Sequence, residues 1–126
     1  MTKEKHSKAF SIKDRFRSFK YAFNGLAVFL KTEHNAQIHV AIAILVVVAG
    51  YFFEIEKWEW VSVFLAIGLV FITELLNTSL EYMADAVSPG LNEKIGLTKD
   101  LAAGAVLVAA IIALIIGCLV FIPRVI

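Results

Sequence analysis

The sequence predicts an all-α membrane protein: one amphipathic helix on the membrane surface, then three transmembrane helices. Three observations carry that expectation. Hydrophobic residues make up 60% of the 126-residue chain and the mean hydropathy is +0.79, above the roughly 45–50% apolar content of soluble domains. Two long uncharged stretches, and a third interrupted by acids, are separated by polar connections. Eight of the twelve Lys and Arg residues fall within residues 1–31, so the positive-inside rule puts the N-terminus on the cytoplasmic face. A chain of this length is one domain, residues 1–126. It has little room for a private cavity, which points to an oligomer if it is an enzyme.

Residues 1–9 are polar and basic, expected as a flexible tail. From about 11 to 23 the pattern becomes amphipathic: Ile12, Phe16, Phe19 and Phe23 fall within ~60° of one another at helical spacing. Lys13, Arg15, Arg17 and Lys20 lie away from the centre of that stripe. An aromatic stripe beside basic residues suits a helix lying in the membrane interface. A core helix of a soluble protein has no core to join here, and the strongly apolar remainder argues against nucleic acid as a partner.

Asn35 to Phe53 holds nineteen residues without Asp, Glu, Lys or Arg, enough at ~1.5 Å rise per residue to match a ~30 Å hydrocarbon layer. This is the first span. Glu54, Glu56, Lys57 and Glu59 form a short, net-acidic connection suited to the outer face, with Trp58 and Trp60 as interfacial anchors. The second span runs from about 58 to 85. Its uncharged part, Trp60 to Thr73, has only fourteen residues, so it must continue through Glu74 and Glu81. Those carboxylates therefore belong to the inner half of the bilayer or its edge. Ser88-Pro89-Gly90 ends the helix. Leu101 to Pro123 supplies twenty-three uncharged residues for a third span, about 100–122. There Ala105, Ala109, Ala113 and Gly117 form a small-residue seam suited to close helix packing. Three spans leave the C-terminus outside. Cys118, the one cysteine, excludes an intrachain disulfide and carries no redox motif. The first 34 residues lack the apolar core of a secretory signal, so the spans are expected to be retained.

The chemistry should lie in the second span. Taking Glu74 as zero at ~100° per residue, Asn77 falls near −60°, Glu81 near −20° and Asp85 near +20°. All four share one face about three turns tall. An intramembrane carboxylate costs a few kcal/mol or more and marks a functional site by default. Familiar phosphate loops are missing: Gly90 and Gly96 are followed by no G-K-[ST], and no G-x-G-x-x-G occurs. His34 and His39, about 140° apart on a helix, do not share a metal-facing edge, and His39 reads as a hydrogen-bonding residue within the membrane or at its interface. The carboxylates suit a hard cation such as Mg²⁺, which takes one or two protein carboxylates beside phosphates and waters; Glu33 and Glu81 would supply them. Glu74, about two turns deeper, would act as general base toward a lipid hydroxyl. Lys99 beside Asp100 could meet a phosphate from the cytoplasmic edge. Two other readings stay open: charges that only cross-link helices, as in an accessory subunit, and a small proton or ion pathway.

Glu74-Leu-Leu-Asn77-Thr78-Ser79-Leu80-Glu81-Tyr-Met-Ala-Asp85 resembles the E-x-x-N-[ST]-[SA]-x-E-x-x-x-D signature of the small bacterial membrane lipid kinases, the prokaryotic diacylglycerol kinase and undecaprenol kinase family. Lys99-Asp100-Leu-Ala-Ala-Gly-Ala-Val is similar to the family's K-D-x-x-A-G-A-V segment. Glu33-His34-Asn35-Ala-Gln37-Ile-His39 resembles a stretch of the undecaprenol kinase branch. The likeness covers roughly residues 17–122. It implies a homotrimeric bundle in the bacterial cytoplasmic membrane, with active sites shared between neighbours. It also implies transfer of the ATP γ-phosphoryl group, with Mg²⁺, to a lipid alcohol, undecaprenol before diacylglycerol. By position, Glu74 matches the catalytic base, and Glu33 and Glu81 the magnesium-binding carboxylates. Asn77 would orient groups beside the base, Lys99 and Asp100 match nucleotide contacts, and Tyr21 matches an aromatic contact in the surface helix. Asp85 would order the cytoplasmic edge. Asp14 stands where the family often has arginine, which leaves that role to Arg15 or Arg17. The connection from Gly90 to Thr98 lacks the histidine and alanine-rich approach expected before Lys-Asp.

Overall fold

A computed structural model describes residues 9–126, so all but the last residue of the expected tail lies outside the described residues. Four helices follow in order: α1 (Ile12–Thr32), α2 (His34–Phe52), α3 (Lys57–Val87) and α4 (Glu93–Val125). The last three are each long and apolar enough to cross a membrane. The fold is all-helical among the described residues, with three candidate spans and one amphipathic helix.

The surface helix is longer than the periodicity predicts, ending at Thr32 rather than near Phe23. Gly25 costs about 1 kcal/mol in a helix interior, too little to stop one that continues into Leu26, Ala27, Val28, Phe29 and Leu30. Ser11 caps its start by accepting from the Asp14 amide. Its end is satisfied from the next helix: Gln37 Nε2 donates to the carbonyls of Leu30 and Lys31 at 3.4 and 3.3 Å, two groups that a helix end otherwise leaves unpaired. Glu33 alone separates α1 from α2, in extended backbone. The stripe of Ile12, Phe16, Phe19 and Phe23 is exposed, uncovered by the other described residues as an interfacial helix requires.

At the other end α2 closes with a left-handed residue that is not glycine. Glu54 has φ 48°, the Ile55 amide donates to the Gly50 carbonyl and the Glu54 amide to Tyr51. These are the two bonds of a Schellman ending. Gly50 also admits the Trp60 ring: a Cβ there would lie 2.6 Å from it. Trp60 stacks on Phe64 and tilts against Tyr51. Ile55, Val63 and Val120 form the buried core beside this cluster. The tightest apolar packing thus sits at the end away from the acidic stripe.

Helices α3 and α4 pack antiparallel along most of their length, while α2 touches α3 sparingly. Two ion pairs fix their register. Arg124 grips Glu59 with both guanidinium nitrogens, at 2.9 and 2.6 Å, and Lys99 Nζ meets Asp85 Oδ1 at 3.0 Å. Between Glu59 and Asp85, α3 rises about 39 Å, so the pairs bracket a ~30 Å hydrocarbon layer. Glu59 also closes a capping box with Glu56 at the start of α3. Helix α4 begins at Glu93 rather than near Asp100, because Asn92 caps it through the amides of Lys94 and Ile95; the expected connection shrinks to residues 88–92. The small-residue seam is only partly a contact. Ala109 is 2% exposed but Ala105 is exposed, since a four-residue repeat drifts ~40° per step from a 3.6-residue helix.

Candidate active site

The buried face of α3 changes character along its length. Val63, Ala66 and Val70 occupy its N-terminal half; Glu74, Asn77 and Thr78 continue it toward the C-terminal end. Val70, Glu74, Asn77 and Glu81 follow one another at three- and four-residue steps, so apolar floor and polar floor are one stripe. Against the apolar half, α2 and α4 stand apart and leave a groove of about 490 Å³ lined by Val63, Val70, Phe71, Ala113 and Gly117 among others. His39 opens onto it and meets the Phe71 ring edge-on at 6.3 Å. Among the described residues the His39 ring meets this aromatic neighbour and makes no hydrogen bond, so the hydrogen-bonding role expected of it has no partner there.

Glu74 is 3% exposed, and among the described residues no side chain or backbone group donates to its carboxylate. One turn on, Asn77 is 8% exposed. Its Nδ2 donates to Glu81 Oε1 at 3.2 Å, and its Oδ1 is buried without a partner. An unpaired buried acceptor costs about 1–3 kcal/mol and calls for a ligand or water. The Asn77 amide therefore faces two ways: it holds Glu81 with its nitrogen and offers its oxygen.

Glu33 is half-buried in the α1–α2 connection. Although it stands at the N-cap of α2, its carboxylate makes no cap bond. Instead Oε1 lies 3.3 Å from Tyr82 Oη on α3 and 3.3 Å from Thr32 Oγ1. No hydrogen bond joins Glu33 to Glu81; Tyr82, the residue after Glu81, makes the link between the two helices. No cage of three or more His, Cys, Asp or Glu side chains forms among the described residues. The donor set nevertheless fits Mg²⁺. Among the described residues Glu33 and Glu81 each have one oxygen engaged and the other without a protein donor, and Mg²⁺ completes its octahedron with phosphate and water.

The remaining sequence candidates fall into two groups. Lys99 and Asp85 are brought together as an ion pair, whereas Asp100 is exposed and, among the described residues, bonds to no other side chain. Adjacent helical positions diverge by ~100°, which turns Asp100 away from its neighbour's partner. Arg17 and Tyr21 share a shallow depression on α1 with Ser11 and Asp14, and Arg17 lies 3.8 Å from Asp14. Neither bonds to α3 or α4. Tyr82 was not singled out by spacing; the signal available was a phenol beside a candidate metal ligand, in a turn that should face the interface.

Comparison with known proteins identifies the family. Residues 20–121 match the family model described as prokaryotic diacylglycerol kinase. The chain is 41% identical over 109 residues to an undecaprenol kinase of Bacillus subtilis (strain 168), covering 86% of this chain and 89% of the relative. A diacylglycerol kinase of Synechocystis sp. is 38% identical over 84% of this chain and 61% of its own length. A diacylglycerol kinase of Escherichia coli (strain K12) is 31% identical over 79% and 81%. With a family match that covers two candidate membrane helices, most of the third and the whole acidic stripe, the chain belongs to the prokaryotic diacylglycerol kinase family.

Proposed function

We propose that this protein is an undecaprenol kinase of the bacterial cytoplasmic membrane, N-terminus inside and C-terminus outside. It uses ATP with Mg²⁺ and works as a homotrimer. The observation that carries the proposal is Glu74: a nearly buried acidic residue with no protein donor among the described residues, continuing the stripe that floors an apolar groove. A lipid alcohol has the matching shape, an apolar tail ending in one hydroxyl.

In the proposed step the hydroxyl oxygen attacks the γ-phosphorus of ATP and the bond from that phosphorus to the β,γ-bridging oxygen breaks. The hydroxyl proton passes to the Glu74 carboxylate. Asn77 Oδ1, unpaired and one turn away, would orient the reacting groups. Glu33 and Glu81 would hold Mg²⁺ through their free oxygens; the bound ion would neutralise phosphate charge, the main requirement of phosphoryl transfer beyond positioning. Lys99 would leave Asp85 for a phosphate oxygen, with Asp100, Arg17 and Tyr21 as further nucleotide contacts and Asp85 ordering the edge. The small chain leaves the Glu74 face bounded by few elements, which supports a trimer whose neighbours complete each site.

Undecaprenol as acceptor is supported by the Bacillus subtilis relative and by the Glu33-to-His39 block; the diacylglycerol kinases among the relatives favour a second reading, with diacylglycerol as acceptor. Purified protein in lipid vesicles, given γ-labelled ATP and either lipid, separates the two. Label is expected in undecaprenyl phosphate. Label chiefly in phosphatidic acid selects the second reading, and no label in either sinks the kinase proposal.

A further inference from the structure

Resting on the kinase reading above, we infer that Tyr82 is a positioning residue for Glu33. Its phenol hydroxyl holds one oxygen of that carboxylate, so that the other is presented to the metal and phosphates. The contact is Tyr82 Oη to Glu33 Oε1 at 3.3 Å. Among the described residues it is the one side-chain hydrogen bond from α3 to the α1–α2 connection. Glu33 needs such a partner, because it sits in a single extended residue between two helices and caps neither with its carboxylate.

Thr32 does not serve in its place. A hydroxyl has one proton to donate, and Thr32 Oγ1 lies 2.9 Å from the Val28 carbonyl but 3.3 Å from Glu33 Oε1. The shorter bond takes the proton. Tyr82 is therefore the donor that fixes Glu33. Its position next to Glu81 ties the two candidate metal carboxylates to one turn of α3. A tyrosine near a membrane surface also serves as a plain interfacial anchor. Tyr82→Phe separates the two roles, since it keeps the ring and removes only the hydroxyl.

The test is Mn²⁺ binding, followed by electron paramagnetic resonance, to full-length protein in nanodiscs with a non-hydrolysable ATP analogue. Tyr82→Phe should weaken Mn²⁺ binding about three- to tenfold. Loss of a partner to a metal ligand costs roughly 10- to 100-fold, and a 3.3 Å contact is long for an O–H···O bond, which puts the effect at or below the low end. The Mg²⁺ requirement for lipid phosphorylation should rise by the same factor, with a smaller change in kcat at saturating metal. Thr32→Val should leave Mn²⁺ affinity as in the wild type. Adding Tyr82→Phe to Glu33→Gln should cost nothing further, as for two members of one contact. Wild-type Mn²⁺ affinity in Tyr82→Phe, an equal loss in Thr32→Val, or additive losses in the double variant would overturn the inference. A wild type inactive on both lipids overturns the kinase reading instead, and the Mn²⁺ titration still reads the Tyr82–Glu33 contact.

Discussion

Replacing Glu74 by Gln separates a catalytic carboxylate from a structural one, because the two roles move activity and stability in opposite directions. Gln matches Glu in heavy atoms, so the buried volume around a side chain only 3% exposed is preserved. No protein donor is lost, since none meets the carboxylate among the described residues. Burying a charge without a partner costs several kcal/mol, and a neutral amide relieves that cost. Stability of the variant should therefore equal or exceed that of the wild type. Activity should fall by the contribution of a general base, roughly 10²- to 10⁴-fold, or about 2.7–5.5 kcal/mol of transition-state stabilisation. Initial rates with γ-labelled ATP in vesicles read the first quantity. Denaturant unfolding in dodecyl maltoside, followed by circular dichroism, reads the second, and a fluorescent ATP analogue checks that nucleotide affinity persists. A rate within tenfold of wild type would refute the base assignment. Lost stability at retained rate would mean that Glu74 only cross-links helices.

Further substitutions probe other parts of the structure. Glu81→Gln keeps an oxygen for Asn77 Nδ2 but removes the charge, so the Mg²⁺ requirement should rise by at least the roughly 10- to 100-fold seen for partners of metal ligands; an unaltered metal titration counts against the ligand role. Glu54→Gly relieves a left-handed residue at φ 48°. The conformational penalty of ~1–2 kcal/mol exceeds glycine's entropy cost, so unfolding stability should rise by about 0.5–1 kcal/mol; a loss would mean that the Glu54 side chain itself holds the turn. Ala109→Phe forces a ring into the α3–α4 contact, where Ala109 is 2% exposed, and should cost about 1–3 kcal/mol or more. Unchanged unfolding would place Ala109 outside that contact.

The architecture was legible because hydrophobic length and aromatic periodicity speak about the membrane directly; helix ends were not, because they depend on caps and partners. The aromatic periodicity stops at Phe23, yet α1 runs on to an end satisfied by Gln37 from the next helix. The polar stretch before Lys99 reads as a connection or a helix extension, and Asn92 makes most of it the first turns of α4. Arg124 has no acidic residue near it in the sequence. Its partner Glu59 lies 65 residues away, although an acidic connection and a basic terminus at the same membrane face were both visible in the sequence. The four-residue seam on α4 failed where helical drift carries Ala105 off the contact and leaves Ala109 on it.

Within the candidate site, spacing alone gave the shared face of Glu74, Asn77 and Glu81, since these residues lie on one continuous helix. Spacing could not give pairings between helices. Tyr82 reaching Glu33 depends on how α3 leans toward the α1–α2 connection, and Lys99 meeting Asp85 depends on the α3–α4 register. That second pair changes the energetics assigned to the two ends of the stripe. Lys99 and Asp85 are solvent-accessible, with side-chain exposures of 38% and 72%, and such a pair is worth at most about 1 kcal/mol. Lys99 can therefore leave Asp85 at little cost, as the proposed phosphate contact requires. At the deep end the cost is already present in the folded chain, in an unpartnered Glu74 and an unpaired Asn77 oxygen. A lipid hydroxyl delivered there satisfies groups that have no alternative partner among the described residues. The exchangeable end suits ATP binding and ADP release, and the fixed end suits orientation of the acceptor. That division of labour is the physical reason an acidic stripe spanning this depth serves a lipid kinase better than a helix cross-link.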